Sequence, residues 1–148
     1  MYVDALTLVS QAQVFAAAGV STNSIDLGNP VPKRELAAGE PVAFGIAVIS
    51  GATAATTKIE VIMATDGALT AGIITLIERT YALADLPTGM VTTLPLPQPP
   101  IGPAGWPRYL GLRVTPASGT VTLSAWLAPS SMISVNPKAY AKGYTITG

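Results

Sequence analysis

Residues 21–30, with the sequence STNSIDLGNP, carry the hydroxyl and carboxylate side chains that come nearest to a hydrolytic site. A nucleophilic Ser24 with Asp26 nearby would need a base to take the serine proton, and that base is normally histidine. The chain of 148 residues contains no histidine, and no Ser-x-x-Lys pattern supplies the serine–lysine alternative. We therefore interpret residues 20–27 as a strand with polar residues on its exposed side. The sequence DLGNP then ends it, because Asp, Gly, Asn and Pro all favour turns.

Paired carboxylates are a second route to hydrolysis, since two of them can cleave a glycosidic bond without histidine. The candidates in this chain are Glu40, Glu60, Asp66, Glu78 and Asp85. Sequence spacing does not place any two of them in one cleft, and two tryptophans are a small supply of stacking aromatic side chains for a sugar site. A surface position or a salt bridge is the favoured interpretation for each carboxylate, so we predict no enzyme activity.

No metal or cofactor site is predicted. Asp66 stands alone in the segment ATDGALT, whereas calcium requires several clustered oxygen ligands, so a turn is the favoured interpretation. The chain also lacks cysteine and histidine, which are the commonest ligands of transition metals. No glycine-rich phosphate-binding motif occurs.

The overall charge of the chain is low and balanced. Charged residues make up 11% of the sequence, with eight acidic and eight basic side chains, where about 25% is ordinary. A neutral surface gives little repulsion between copies, which favours a component of an assembly. Nucleic-acid binding normally needs a basic excess, so we expect no nucleic-acid partner.

The hydrophobic content of 49% does not predict a membrane protein. Residues 5–25 are uncharged, but several Ser, Gln, Thr and Asn residues interrupt them, whereas a spanning helix needs about 20 mostly apolar residues. The start MYVD is acidic and does not resemble a secretory signal. Absence of cysteine agrees with a reducing cytosol.

Most of the chain alternates between apolar and other residues with a period of two, which is typical of half-buried strands. The clearest cases are VAFGIAVIS, KIEVIMAT, YLGLRVT and TVTLSAWLA; weaker ones are DALTLVS, AAAGVSTNSIDLG and GMVTTLPLPQPP. In KIEVIMAT the alternation directs Lys58 and Glu60 outward. The segment AGIITLIERTYAL fits a strand or, in its tail, a short helical turn before Pro87.

These segments predict one all-β antiparallel domain over residues 1–148 with seven or eight strands. A sandwich, a jelly roll and a small barrel all agree with the spacing of the turns. We expect extended arms at residues 1–5 and 129–148.

The two tryptophans each allow two interpretations. Trp106, between Pro103 and Pro107, could plug one end of the core from a loop or be an exposed contact residue, since tryptophan often dominates binding energy. Trp126 lies on the parity opposite Leu123 and Leu127, so it could cover the outer face of its sheet or meet a partner.

The order of several segments gives a family resemblance. In sequence they are VSTNSIDLG, GEPVAFGIAV, TDGAL, LADLPTGMVTTLPLP, RYLGLRV and GTVTLSAWLAP. Over about residues 4–129 the chain resembles the small capsid cement, or decoration, proteins of tailed bacteriophages, and most closely the jelly-roll cement family of podovirus-type capsids. The resemblance implies an antiparallel jelly roll that binds the outside of an icosahedral shell, clamps neighbouring major capsid proteins and has no catalytic residues.

The expected partners and location follow from this resemblance. They are the major capsid protein and other copies of the chain, as a dimer by preference or a trimer, on the outer capsid surface after synthesis in the bacterial cytoplasm. We expect contacts from Tyr2, Val3, Trp106, Lys138, Tyr140, Lys142 and Tyr144. The alternative is a carbohydrate-binding or host-adhesion module, because fold alone does not decide function; it would need an exposed aromatic platform such as Trp106 with Tyr109.

Overall fold

The computed structural model describes residues 6–28, 41–97 and 106–133. These residues form nine β-strands and two short 3₁₀ helices, Leu83–Asp85 and Ser130–Met132. In chain order the strands are β1 (Leu8–Phe15), β2 (Gly19–Val20), β3 (Ile25–Asp26), β4 (Val42–Ser50), β5 (Thr56–Ala64), β6 (Ile74–Ala82), β7 (Val91–Pro95), β8 (Tyr109–Pro116) and β9 (Val121–Pro129).

The strands form two antiparallel sheets. Sheet A has the order β1-β9-β4-β7, and sheet B has the order β2-β8-β5-β6, with β3 also paired to β8. The first strand therefore pairs with the last, the second with the last but one, and so on inward to the β5–β6 hairpin. This nesting is the topology of a jelly roll, and it confirms the predicted all-β fold class.

The core lies between the two sheets and follows the alternation seen in the sequence. In β4 the fully buried side chains of Phe44 and Ile46 point into it, and in β5 those of Ile59 and Val61 do so. Because both sheets contribute every second residue to one shared cluster, the domain has a single core, and apolar burial is the main source of its stability.

The strand predicted over residues 20–27 is interrupted. It forms the two short strands β2 and β3, with Ser21 between them. The hydroxyl of Ser21 accepts a hydrogen bond from the Leu112 N–H at 3.1 Å and donates one to the Asn23 carbonyl at 2.9 Å. This local side-chain bonding replaces part of the ladder to β8, as serine side chains commonly do.

Two further boundaries differ from the predicted ones. The first strand is displaced towards the C-terminus relative to DALTLVS, since β1 spans Leu8–Phe15. The C-terminal arm was predicted from residue 129, but Pro129 ends β9, a 3₁₀ helix follows, and Ile133 is buried. The ambiguous segment before Pro87 contains both predicted alternatives, with strand β6 followed by a helical turn. The predicted N-terminal arm and residues 134–148 lie outside the described residues.

The long connections of the chain meet at one end of the sandwich. Strand β1 begins beside Trp126 in the second half of β9, and β4 begins beside the end of β9. Strand β3 pairs with the start of β8, where β5 ends. Residues 1–5, 29–40, 98–105 and 134–148 therefore all join the described domain at this end, which also carries Trp106.

Candidate functional surface

Trp106 is at the surface, where its side chain is 42% exposed just before β8 begins. Of the two interpretations from the sequence, the core plug is wrong, and the position is accessible to a partner. The other six predicted contact residues lie outside the described residues; they are Tyr2, Val3, Lys138, Tyr140, Lys142 and Tyr144.

Trp126 is buried, with only 3% of its surface exposed, on the outer face of sheet A. Its ring lies against Gly45 of the neighbouring strand, where an added Cβ would come within 2.5 Å of the ring atom Cε2. Ala43 and Ile133 are buried with it, and Leu8 packs at the margin. Glycine is needed at position 45 because the ring occupies the place of a side chain. Trp126 therefore covers its own sheet.

A charged cluster occupies the outer face of sheet B. Glu60 of β5 is only 2% exposed, although the alternation directs it away from the core. It pairs across the sheet with Arg113 of β8 on one side and Glu78 of β6 on the other. Arg113 donates from Nε to Oε2 at 2.8 Å and from Nη2 to Oε1 at 2.7 Å, and this two-point contact is the strongest geometry for such a pair.

Lys58 completes this cluster. Its ammonium lies 3.3 Å from Oε1 of Glu60 and 3.5 Å from Oε2 of Glu78. The hydrogen bond from Arg113 and, to a smaller extent, the one from Lys58 together lower the pKa of Glu60 to about 2, against the effect of burial. The same bond raises the pKa of Arg113. Glu60 thus carries no proton near neutral pH, and the salt-bridge interpretation holds for both glutamates.

Asp66 stabilises a loop. Its Oδ1 accepts the N–H groups of Thr70 and Ala71 at 2.9 and 2.8 Å, and its Oδ2 accepts the Thr70 hydroxyl at 2.6 Å. These bonds, that of the Thr70 hydroxyl first, lower the pKa of Asp66. The turn interpretation is confirmed. Within residues 6–28, 41–97 and 106–133, no three acidic side chains gather as a metal site would require.

Ser24 and Asp26 also have structural roles. The Ser24 hydroxyl donates to the carbonyl of Gly67 at 2.8 Å. Asp26 accepts the Gly28 N–H at 2.8 Å and forms a 3.0 Å ion pair with Arg108. Their side chains are thus tied to separate neighbours. Ser24 also lines a shallow groove of about 430 Å³, together with Leu6, Leu8, Thr22, Asn23 and Gly67.

Tyr109 does not form an open platform with Trp106. The guanidinium carbon of Arg108 lies 4.8 Å from the centre of the Tyr109 ring, and Nη2 donates to the Tyr109 hydroxyl at 2.6 Å. This bond and the charge of Asp26 raise the pKa of Arg108. One ring face is therefore covered by a cation, which leaves Trp106 as the exposed member of the predicted pair.

Every charged side chain in the described part of the chain has an intramolecular contact. The ion pairs and the Asp66 loop contain most of them. In addition, Arg79 lies 5.1 Å from the centre of the Tyr81 ring, and Asp85 accepts the Ala82 N–H at 3.3 Å. The surface formed by these residues is consequently close to electrically neutral at short range.

Sequence reasoning missed the burial of Glu60. Alternation along β5 shows only that Lys58 and Glu60 share a face. A signal was present in β8, where Arg113 is also on the parity opposite the core, but its pairing with Glu60 depends on strand order. The described residues contain no helix with the length and apolar character needed to cross a membrane.

The strand order defines a jelly-roll domain. The chain belongs to the Bbp16 family, whose family model matches residues 9–128. No curated protein matches it.

Proposed function

We propose that this protein is a structural, non-enzymatic capsid cement protein. It binds the outside of an icosahedral phage capsid and clamps neighbouring major capsid proteins. The observation that carries the proposal is that every charged side chain in the described residues has an intramolecular partner, through an ion pair, a hydrogen bond or a cation–π contact. A surface of this kind can be covered at a lower cost than one whose charges have no partner, because a buried charge without a partner is strongly destabilising.

The arrangement of the chain supports a clamp. All four undescribed segments join the same end of the sandwich as Trp106. The predicted contacts at residues 2, 3, 138, 140, 142 and 144 are therefore connected to that end, and we propose that it faces the shell. A ligand that binds only the assembled shell stabilises the shell by mass action, and a standard contact of about 800 Å² per partner, repeated by symmetry, suffices.

The test is co-sedimentation of the purified protein with capsids of the parent phage that were prepared without it. We expect saturable binding and an increased thermal stability of the particles. Trp106→Ala should weaken binding about tenfold or more, as expected for a tryptophan in a contact centre. The matched control is Val14→Ala, which truncates an exposed apolar side chain on β1 and should leave binding unchanged. Absence of co-sedimentation of the unaltered protein would refute the proposal.

The alternative, a carbohydrate-binding or adhesion module, has one favourable observation, namely the exposed side chain of Trp106. The cation over Tyr109 removes the second half of the aromatic platform. A glycan array that showed clear binding, lost in Trp106→Ala and kept in Val14→Ala, would favour this function over cement.

A further inference from the structure

The two sheets of a jelly roll leave four edges, and three of them here are blunted. Strand β7 has five residues, and its end at Pro95 lacks a backbone donor. Strand β1 shifts register twice and contains Ala12 at a φ of 45°. Strands β2 and β3 have two residues each. Short strands, prolines and bulges are the usual devices that prevent pairing between edges.

The fourth edge, strand β6, is different. It runs for nine residues without a proline, and its one register shift lies near its start, opposite Val61 and Ile62. Glu78, Arg79 and Thr80 in its second half are all exposed. None of the described residues pairs with this side of the strand.

The alternation of the hydrogen bonds along β5 shows which backbone groups of β6 point away from the sheet. The Leu83 N–H donates to the Ala55 carbonyl, and the Ala117 N–H donates to the Thr56 carbonyl. Odd-numbered residues of β5 therefore bond β6, and even-numbered ones bond β8. Because bonding alternates along an antiparallel pair, the N–H and C=O groups of Glu78 and Thr80 point away from the sheet. The Ala82 N–H is occupied by Asp85 at 3.3 Å.

We infer that β6 is the surface through which two copies of this chain pair, antiparallel and about a two-fold axis at Thr80. The inference deepens the proposed function, on which its role at the shell rests. An identical edge supplies matching donors and acceptors at Thr80, and the Glu78 N–H can donate to the Ala82 carbonyl of the second copy, so that sheet B of one copy continues into sheet B of the other. Unpaired backbone N–H and C=O groups at a sheet edge are satisfied by main-chain hydrogen bonds to another extended strand.

Charge selects the register of this pairing. An axis at Glu78 would oppose two carboxylates, and an axis at Arg79 would oppose two guanidinium groups; like charges directly opposite each other destabilise a sheet. With the axis at Thr80, Glu78 faces Ala82 of the second copy and Arg79 faces Tyr81 of the second copy. The N–H of Thr80 in each copy then donates to the C=O of Thr80 in the other copy.

The first experiment removes one outward donor. Thr80→Pro deletes an N–H that the fold does not use, and proline is tolerated at such edge positions. The control is Thr93→Pro in β7, whose N–H also points away from the sheet. The Val48 N–H donates to the Met90 carbonyl and the Leu96 N–H donates to the Val42 carbonyl, so the even-numbered residues on this side bond β4 and the odd-numbered ones point outward. By sedimentation, the unaltered protein should dimerise with a dissociation constant of about 100 µM or below, between the millimolar and micromolar reference points of weak association. Thr80→Pro should raise the dissociation constant at least about tenfold, while Thr93→Pro leaves it unchanged.

The second experiment tests the register. The chain contains no cysteine, so a single introduced thiol can react only with its copy. Cα atoms of a hydrogen-bonded antiparallel pair lie about 5.5 Å apart, within disulfide range. Mild oxidation of Thr80→Cys should give a covalent dimer, and Thr93→Cys should give none.

Three outcomes would overturn the inference: a monomeric unaltered protein at about 100 µM, an unchanged dissociation constant in a folded Thr80→Pro, or cross-linking through position 93 in place of 80. A monomer that still binds capsids, but loses binding on Thr80→Pro, would assign β6 to a strand of the capsid protein. That result would overturn pairing between copies and leave the proposed function intact. A dimer that fails to bind capsids would overturn the proposed function and leave the pairing between copies intact.

Discussion

The outer faces of the two sheets are covered in opposite ways. Sheet A buries a large apolar side chain, Trp126, against a glycine and the returning Ile133. Sheet B buries a carboxylate, Glu60, and neutralises it with Arg113 and Lys58. The first face gains stability from apolar burial, whereas the second mainly offsets the cost of burying a charge. The comparison predicts that sheet A is the more sensitive of the two to substitution.

The largest effect is expected from Trp126→Ala. Removal of a buried tryptophan leaves a cavity over Gly45 and exposes Ile133, so the free energy of unfolding should fall by about 3–5 kcal/mol. Urea denaturation followed by circular dichroism measures the loss. The control is Trp106→Ala, which should cost less than about 0.5 kcal/mol at its exposed position. Equal losses in the two variants would contradict the asymmetry between these tryptophans.

A smaller loss is expected when the same contact is overfilled. In Gly45→Ala the new methyl group meets the Trp126 ring at 2.5 Å, which forces the ring away from the sheet. Overpacking of this kind costs about 1–3 kcal/mol. A matched control is Gly67→Ala, where the nearest atom is 3.5 Å away. If Gly45→Ala retained full stability, the ring could not lie as described.

The sequence predicts one half of this contact and not the other. The alternation in TVTLSAWLA places Trp126 on the outer parity, and the glycine in VAFGIAVIS is on the outer parity of its own strand. That the two residues meet depends on β4 pairing with β9, about 80 residues later, which periodicity does not report. Ile133 follows Pro129, where the alternation becomes irregular, so the local sequence does not predict that Ile133 packs over the Trp126 ring.

The same limit explains why the burial of Glu60 was not predicted. Arg113 lies 53 residues away in the chain, and only the strand order brings it beside Glu60. The core, in contrast, was accessible from the sequence, because each inward residue of β4 and β5 is identified by its neighbours along the strand. The break at Ser21 escaped prediction for a third reason: a side-chain hydroxyl competed with the ladder, and periodicity does not detect that.

On sheet B, Arg113→Met should reduce stability by about 1–3 kcal/mol. The change removes both hydrogen bonds from Arg113 but leaves Lys58 3.3 Å from Glu60, so the loss falls below the 3–5 kcal/mol typical of a fully broken buried pair. Urea denaturation at pH 7 provides the value. The double variant Arg113→Met with Glu60→Leu removes the stranded carboxylate as well and should recover part of the loss. A double variant less stable than Arg113→Met alone would show that the pair contributes more than it costs.

The dependence of stability on pH should distinguish the two faces again. The pKa of Glu60 is about 2 in the folded protein, lowered from 4.5. The unfolded chain therefore binds this proton first as the pH falls, so the contribution of Glu60 is complete above about pH 5 and is lost between about pH 4.5 and 2. Stability measured by urea denaturation should change little between pH 7 and 5 and then decline.

In Glu60→Gln the decline below pH 4.5 should be shallower, because that variant has no carboxylate to protonate there. In Trp126→Ala the curve should keep the slope of the unaltered protein at a lower level, since apolar burial does not titrate. Parallel curves for Glu60→Gln and the unaltered protein would mean that the buried ion pair does not set the acid limit of the fold.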